Sequence, residues 1–154
     1  IPEAERGDML GAYNRRLTGE DEVMRMAAAR AWAAWEGSCS KLRPSAEALA
    51  KFTKPHNALA LSRIETHYFV NGGFLTDNQI LNNMAKIAEI PGRIIHGRYD
   101  MVCPLSNALD LHRRWPAAEL HIVRDAGHSA SEPGIVDALI RATEEIGKRL
   151  GDPE

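Results

Sequence analysis

Arg93-Ile94-Ile95-His96-Gly97-Arg98-Tyr99-Asp100 is a short β-branched run that reaches a glycine and opens into a polar loop. Such a run, bounded by turn residues, predicts a strand. Pro91 closes the segment before it, and Pro104 to Trp115 after it reads as a helix. Glu119-Leu120-His121-Ile122-Val123 reads as a second strand, leading into Asp125-Ala126-Gly127-His128-Ser129. Gly134 to Leu150 is an amphipathic helix with Ile135, Leu139, Ala142 and Ile146 on one side. Strand, helix, strand, helix predicts parallel strands joined by a crossover helix. Two parallel strands alone make a poor sheet, because such sheets are normally buried on both faces within a larger set. The pattern therefore predicts the last part of an α/β sheet whose other strands lie upstream.

The first 85 or so residues read differently, as almost entirely helical. Tyr13 and Leu17 are four apart on one early helix face, and Thr18 followed by Asp21 resembles a capping arrangement. The alanine-rich run from Glu22 to Trp35 has high helix propensity. Its spacing predicts a face of Val23, Met26, Ala27, Arg30, Ala31 and Ala34, ended by Gly37 and Ser38. A short helix around Ser45 to Phe52 stops before Pro55, and another runs from about Asn57 to Phe69 until Asn71-Gly72-Gly73 breaks it. Thr76 or Asp77 is expected to cap a further helix carrying Ile80, Leu81, Met84 and Ile87. The division falls near residue 85: a helical segment over 1–85, and an α/β segment over 86–154.

Bulk properties narrow the function classes. The chain has 154 residues, about one domain, and its 44% hydrophobic and 26% charged content is that of an ordinary soluble protein. Net charge is −2 with both signs interspersed, so no basic face recruits nucleic acid or an anionic membrane. No apolar run approaches the roughly 18–20 residues of a membrane span. Two cysteines, Cys39 and Cys103, form neither a disulfide framework nor a metal-ligand set, so a reducing cytoplasm is the expected location. The start at Ile1, with no apolar element before it, predicts a chain that begins inside a larger protein.

Chemistry enters at the strand ends. Active groups of open α/β sheets sit just beyond the carboxyl ends of the strands. Asp100 follows the first strand and His128 the second, 28 positions later. Acid before histidine is the order of the α/β-hydrolase triad, in which the nucleophile precedes both. There the histidine takes a proton from the nucleophile, and the acid fixes its tautomer and stabilises the imidazolium. His96, His112 and His121 lie within predicted strands or a helix, where packing or surface roles are expected. The nucleophile itself is missing from the sequence: no Gly-x-Ser-x-Gly occurs in it. Gly37-Ser38-Cys39-Ser40 follows a helix and lacks the second glycine, and no His-Gly-Gly oxyanion loop is present.

These residues resemble the proline iminopeptidases, a family of α/β-hydrolases. Gly97-Arg98-Tyr99-Asp100 followed by Cys103-Pro104 resembles the family's acid loop, and Trp115-Pro116 and Ala126-Gly127-His128-Ser129 its next landmarks. Ile1-Pro2, Glu5-Arg6, Ala12-Tyr13, Arg16-Leu17, Trp32, Trp35-Glu36 and Arg63-Ile64-Glu65-x-His67-Tyr68-Phe69 resemble its cap region. The resemblance implies part of a helical cap over 1–85 and the carboxy-terminal part of the hydrolase core over 86–154. It implies a serine exopeptidase that releases an amino-terminal proline from peptides, with Asp100 and His128 as triad acid and base. It also implies that Glu36 and Glu65 bind the substrate's free amino group. A buried ammonium needs carboxylate partners, and an internal amide offers them no charge, so such a pair enforces exopeptidase selectivity. Tyr68 and Phe69 are candidates to line an apolar pocket for the pyrrolidine ring, although core packing is the expected role, and a thiol reagent at Cys103 would crowd the acid loop. No metal or organic cofactor is implied, because triad chemistry needs none.

Two other readings stand beside this one. Another capped α/β-hydrolase, such as an epoxide hydrolase or esterase, would not need Glu36 and Glu65 as an ammonium-binding pair. A non-catalytic binding module would need no triad. The chain by itself is expected to be inactive without its serine, and the edges of a truncated parallel sheet predict self-association.

Overall fold

The computed structural model describes residues 1–43 and 45–151. It is mostly helical, with a small parallel sheet, and it divides into two compact units. The first comprises Ile1–Ser38 with Pro44–Asp77, and the second Cys39–Arg43 with Asn78–Glu154. None of the described helices is long and apolar enough to cross a membrane.

The first unit is built from α1 (Met9–Thr18), α2 (Glu22–Cys39), α3 (Ala46–Phe52) and α4 (Pro55–Val70). Each start has a local cause. Asp8 accepts the Gly11 amide at 2.9 Å, Asp21 accepts the Met24 amide at 2.9 Å, and Ser45 accepts the Ala48 amide at 3.1 Å. Side-chain caps of this kind satisfy amides that lack an intrahelical partner. Pro55 opens α4, where its missing N–H is not needed. The helix stops at Asn71, followed by Gly72 and Gly73 with φ of +58° and +65°.

The core of this unit is Leu17, Ala28, Ala29, Ala33 and Ala58, with Tyr13, Leu59 and Leu61 packed against it. Small side chains let the helices approach closely. The Ser62 hydroxyl shows how closely: it donates to Ala58 O at 2.6 Å and lies 3.2 Å from Ala29 O of α2. Leu17 is fully buried, which removes about 1.5–3 kcal/mol of apolar exposure from water.

Several expectations are corrected here. Thr18 does not cap α2; it is the last residue of α1, its hydroxyl donates to Asn14 O, and Asp21 is the cap. Gly37 does not end α2 but is buried within it, where a Cβ would meet Phe52 and Leu49 at 3.1–3.2 Å. The predicted face of α2 is also wrong. Val23, Ala27, Arg30 and Ala31 are exposed, while Ala28, Ala29, Trp32, Ala33 and Glu36 are buried. Alanine is found on either side of a helix, so a run of them carries little periodicity.

In the second unit the expected helix over Ile80–Ile87 is broken. α5 (Gln79–Asn82) is a single turn that begins after Asn78, whose φ is +56°, and Met84–Lys86 is a 3-10 turn. Neither Thr76 nor Asp77 is its cap residue. β1 (Gly92–Gly97) and β2 (Ala118–Val123) then pair in parallel, from Gly92 opposite Ala118 to Gly97 opposite Val123. α6 (Leu105–Arg113) crosses between them, and α7 (Pro133–Gly151) packs on both. Ile95, Val123, Ala126, Ile135 and Ala138 form the core beneath α7. The buried pair on α7 is Ile135 and Ala138; Leu139 is exposed, and Ala142 and Ile146 are half-buried. Arg93 forks between Glu119 of β2 and Glu145 of α7, joining three elements through one guanidinium.

Candidate active site

Equal register brings the carboxyl ends of β1 and β2 level, because Gly97 pairs with Val123. The loops that leave them are joined at once: Arg98 N donates to Val123 O at 2.8 Å, and Tyr99 N to Ala126 O at 2.9 Å. The approach is close enough that only glycine fits at position 97, where a Cβ would lie 1.9 Å from Gly127 O.

Within this frame Asp100 and His128 meet. Asp100 Oδ1 accepts the backbone amides of Val102 at 3.0 Å and Cys103 at 2.7 Å, and Oδ2 lies 3.0 Å from His128 Nδ1. A carboxylate can only accept, so Nδ1 carries the proton and Nε2 is the nitrogen left for proton exchange. The Asp100 side chain is 5% exposed and that of His128 is 35% exposed. An acid held rigid and dry beside a histidine open to solvent is an arrangement able to run general acid–base chemistry.

Two further side chains hold the loops. His96 Nε2 lies 3.0 Å from Cys103 O, so it donates there and closes the acid loop across its base. The same nitrogen is 3.7 Å from Asp100 Oδ2, too far for a hydrogen bond. Glu132, only 7% exposed, accepts the Gly127 amide at 2.6 Å and the Leu42 amide at 3.3 Å through Oε1. Neither role is visible in the local sequence. His96 read as a strand residue, and Glu132, directly before Pro133, has the position of an ordinary first-turn acid.

Glu36 and Glu65 belong to the first unit. Glu36 is buried on α2, one turn beyond Trp32 and on the same face. Glu65 of α4 accepts the Trp32 indole N–H at 2.6 Å, and is paired with neither Arg63 nor Lys51; Lys51 meets Glu47 instead. Trp32 thus ties Glu65 to the helix that carries Glu36. Beside it opens a cavity of about 510 Å³ lined by Met9, Leu10, Tyr13, Trp32, Trp35 and Phe69. Phe69 lines it and is exposed, against the expected core packing. Tyr68 does not, and packs against His67 and Phe74. The described residues hold no group of three His, Cys, Asp or Glu able to bind a metal ion.

The comparisons with known proteins bear on this geometry. The chain is 56% identical over 145 residues to a proline iminopeptidase of Xylella fastidiosa (strain 9a5c), covering 94% of this chain and 46% of that protein. It is 49% identical over 153 residues to the proline iminopeptidase of Arabidopsis thaliana, covering 98% of this chain and 40% of the relative. The chain is homologous to the proline iminopeptidases. A third proline iminopeptidase, from Neisseria gonorrhoeae, is 42% identical over 151 residues, or 97% of this chain. The chain spans less than half the length of each of these relatives. No family model matches it.

Proposed function

We propose that the protein containing this chain is a serine exopeptidase that releases an amino-terminal proline from peptides. In this reading residues 1–85 are part of a helical cap and residues 86–154 the carboxy-terminal part of an α/β-hydrolase core. Asp100 is the triad acid and His128 the base. The observation that carries the reading is the 3.0 Å approach of Asp100 Oδ2 to His128 Nδ1, with Oδ1 anchored by two backbone amides. That anchoring leaves the second oxygen aimed at the imidazole, which then exchanges protons through Nε2 alone.

Glu36 and Glu65 bind the substrate's α-ammonium. Both are carboxylates held on facing helices next to an aromatic cavity, which suits a cation carried within an otherwise apolar ring. The serine lies in no Gly-x-Ser-x-Gly setting in these 154 residues, so it belongs to the rest of the longer enzyme and the chain alone is inactive. A two-stranded sheet has open edges, and the isolated chain self-associates through them. The expected location is the cytoplasm.

The deciding experiment is hydrolysis of a proline arylamide by the purified chain and by the longer protein that contains it. Turnover by the longer protein and none by the chain is the expected pair of results. Turnover by a chain of confirmed mass would place the nucleophile within these residues. An inactive longer protein that hydrolyses an epoxide or simple ester would move the reading to another capped hydrolase.

A further inference from the structure

The backbone around His128 is fastened at three positions, 126, 127 and 129. Tyr99 N donates to Ala126 O at 2.9 Å, Gly127 N to Glu132 Oε1 at 2.6 Å, and Ser129 N to Ser40 O at 2.7 Å. Two of these partners are main chain. The third is a side chain that is itself buried, and it also receives the Leu42 amide. Glu132 therefore ties the His128 loop to the segment Ser40–Leu42, within one compact unit. Its fit is close, since a Cβ on Gly127 would meet Leu42 N at 2.9 Å and Glu132 Oε1 at 3.1 Å.

A carboxylate in such a place is not there for packing. Burying it removes its hydration, which only donors can replace. Gly127 and Leu42 both donate to it through backbone amides, so the acid acts as a fixed acceptor around which two chain segments are arranged. The residue it grips, Gly127, is the immediate neighbour of His128. A small rotation of that peptide would swing the imidazole away from Asp100, and hydrogen bonds weaken steeply with misalignment.

We propose that Glu132 is a positioning residue for the acid–base pair: by accepting the Gly127 amide it holds His128 with Nδ1 against Asp100. The inference rests on the reading of Asp100 and His128 as that pair. Glu132 touches neither the reacting atoms nor the acid, and acts only through the backbone of its neighbour.

The test is the tautomer of His128, read from ring ¹⁵N shifts in the histidine-labelled full chain at a pH where the ring is neutral. A free imidazole favours Nε2–H, whereas a ring held against Asp100 is Nδ1–H. The wild-type chain is expected to show Nδ1–H at His128. Glu132→Gln keeps an acceptor oxygen at the same reach and should retain it. Glu132→Leu, of similar size but without an acceptor, should lose it, and so should Glu132→Asp, whose carboxylate falls one methylene short. Should the leucine variant fail to fold, the aspartate variant carries the test. A loss of overall stability alone would not change a tautomer. Retention of wild-type Nδ1–H in both Glu132→Leu and Glu132→Asp, while Asp100→Asn shifts it, would overturn the inference and leave the pair standing. An unshifted tautomer in Asp100→Asn would overturn the pair, and the inference with it.

Discussion

Asp100 Oδ2 and His128 Nδ1 lie 3.0 Å apart, although the two residues are 28 positions apart and follow different strands. The distance is set by the sheet, since parallel strands of equal register deliver both loops to one edge. In the complete enzyme, Asp100→Asn is expected to lower kcat on a proline arylamide by on the order of 10³–10⁴-fold, with little change in KM. The amide keeps the shape but not the charge that fixes the tautomer and stabilises the imidazolium. Steady-state kinetics on the purified variant checks this, and a change of less than tenfold would remove Asp100 from the chemistry.

The ammonium-binding assignment predicts selective losses. Glu36→Gln and Glu65→Gln should each lower kcat/KM on a free-amine proline arylamide by about 10–100-fold, the worth of one charge-assisted hydrogen bond. Any residual turnover of an N-acetylated analogue should be unaffected. Glu65 carries an extra requirement, because it already accepts the Trp32 indole at 2.6 Å. Trp32→Phe should therefore weaken substrate binding in the same direction, by less. Equal losses on both substrates would show that the two glutamates support the fold and not the substrate.

How much of this was legible in the sequence differs from residue to residue. Asp100 and His128 were, because a strand's end is marked locally by β-branched residues and a glycine. Glu36 and Glu65 are singled out only through resemblance, since nothing local distinguishes them from helix-surface acids. The buried face of α2 was misread because alanines occupy both sides of it, with Ala27 exposed and Ala28 buried. Glu132 was missed for a stronger reason. One of its two donors is Leu42, 90 positions away, and no local pattern reports such a pairing. Gly97 read simply as the end of a strand, while its real constraint is the Gly127 carbonyl lying over it.

Two glycine substitutions should move stability in opposite directions. A Cβ at Gly97 would lie 1.9 Å from a backbone oxygen that is itself held in a bonded loop, so no side chain can yield. Gly97→Ala should cost about 3 kcal/mol. Gly147, inside α7, has nothing within 4 Å of its would-be Cβ. Gly147→Ala should stabilise by about 0.5–1 kcal/mol, because alanine loses less freedom in a helix. Urea midpoints of the two variants settle the matter, and a neutral Gly97→Ala would mean that the two loops are not in contact.

Acid should weaken the first unit through Glu5. The Arg16 guanidinium, hydrogen-bonded to Glu5 at 2.7 and 2.9 Å, holds that carboxyl down from 4.5 to about 2. Asp8 is lowered too, first by the Gly11 amide and then by Arg15. On unfolding, Glu5 returns to its ordinary 4.5. Between about 2 and 4.5 the unfolded chain therefore binds more protons than the folded one, and stability rises with pH across that window. The contribution is complete above 4.5 and fades as pH falls toward 2. It is modest and salt-sensitive, because the groups are solvated. Glu5→Gln should lower the thermal midpoint at about pH 6, and the gap to wild type should shrink both near pH 2 and on adding salt. A gap of constant size across those conditions would mean that Glu5 contributes shape and not charge.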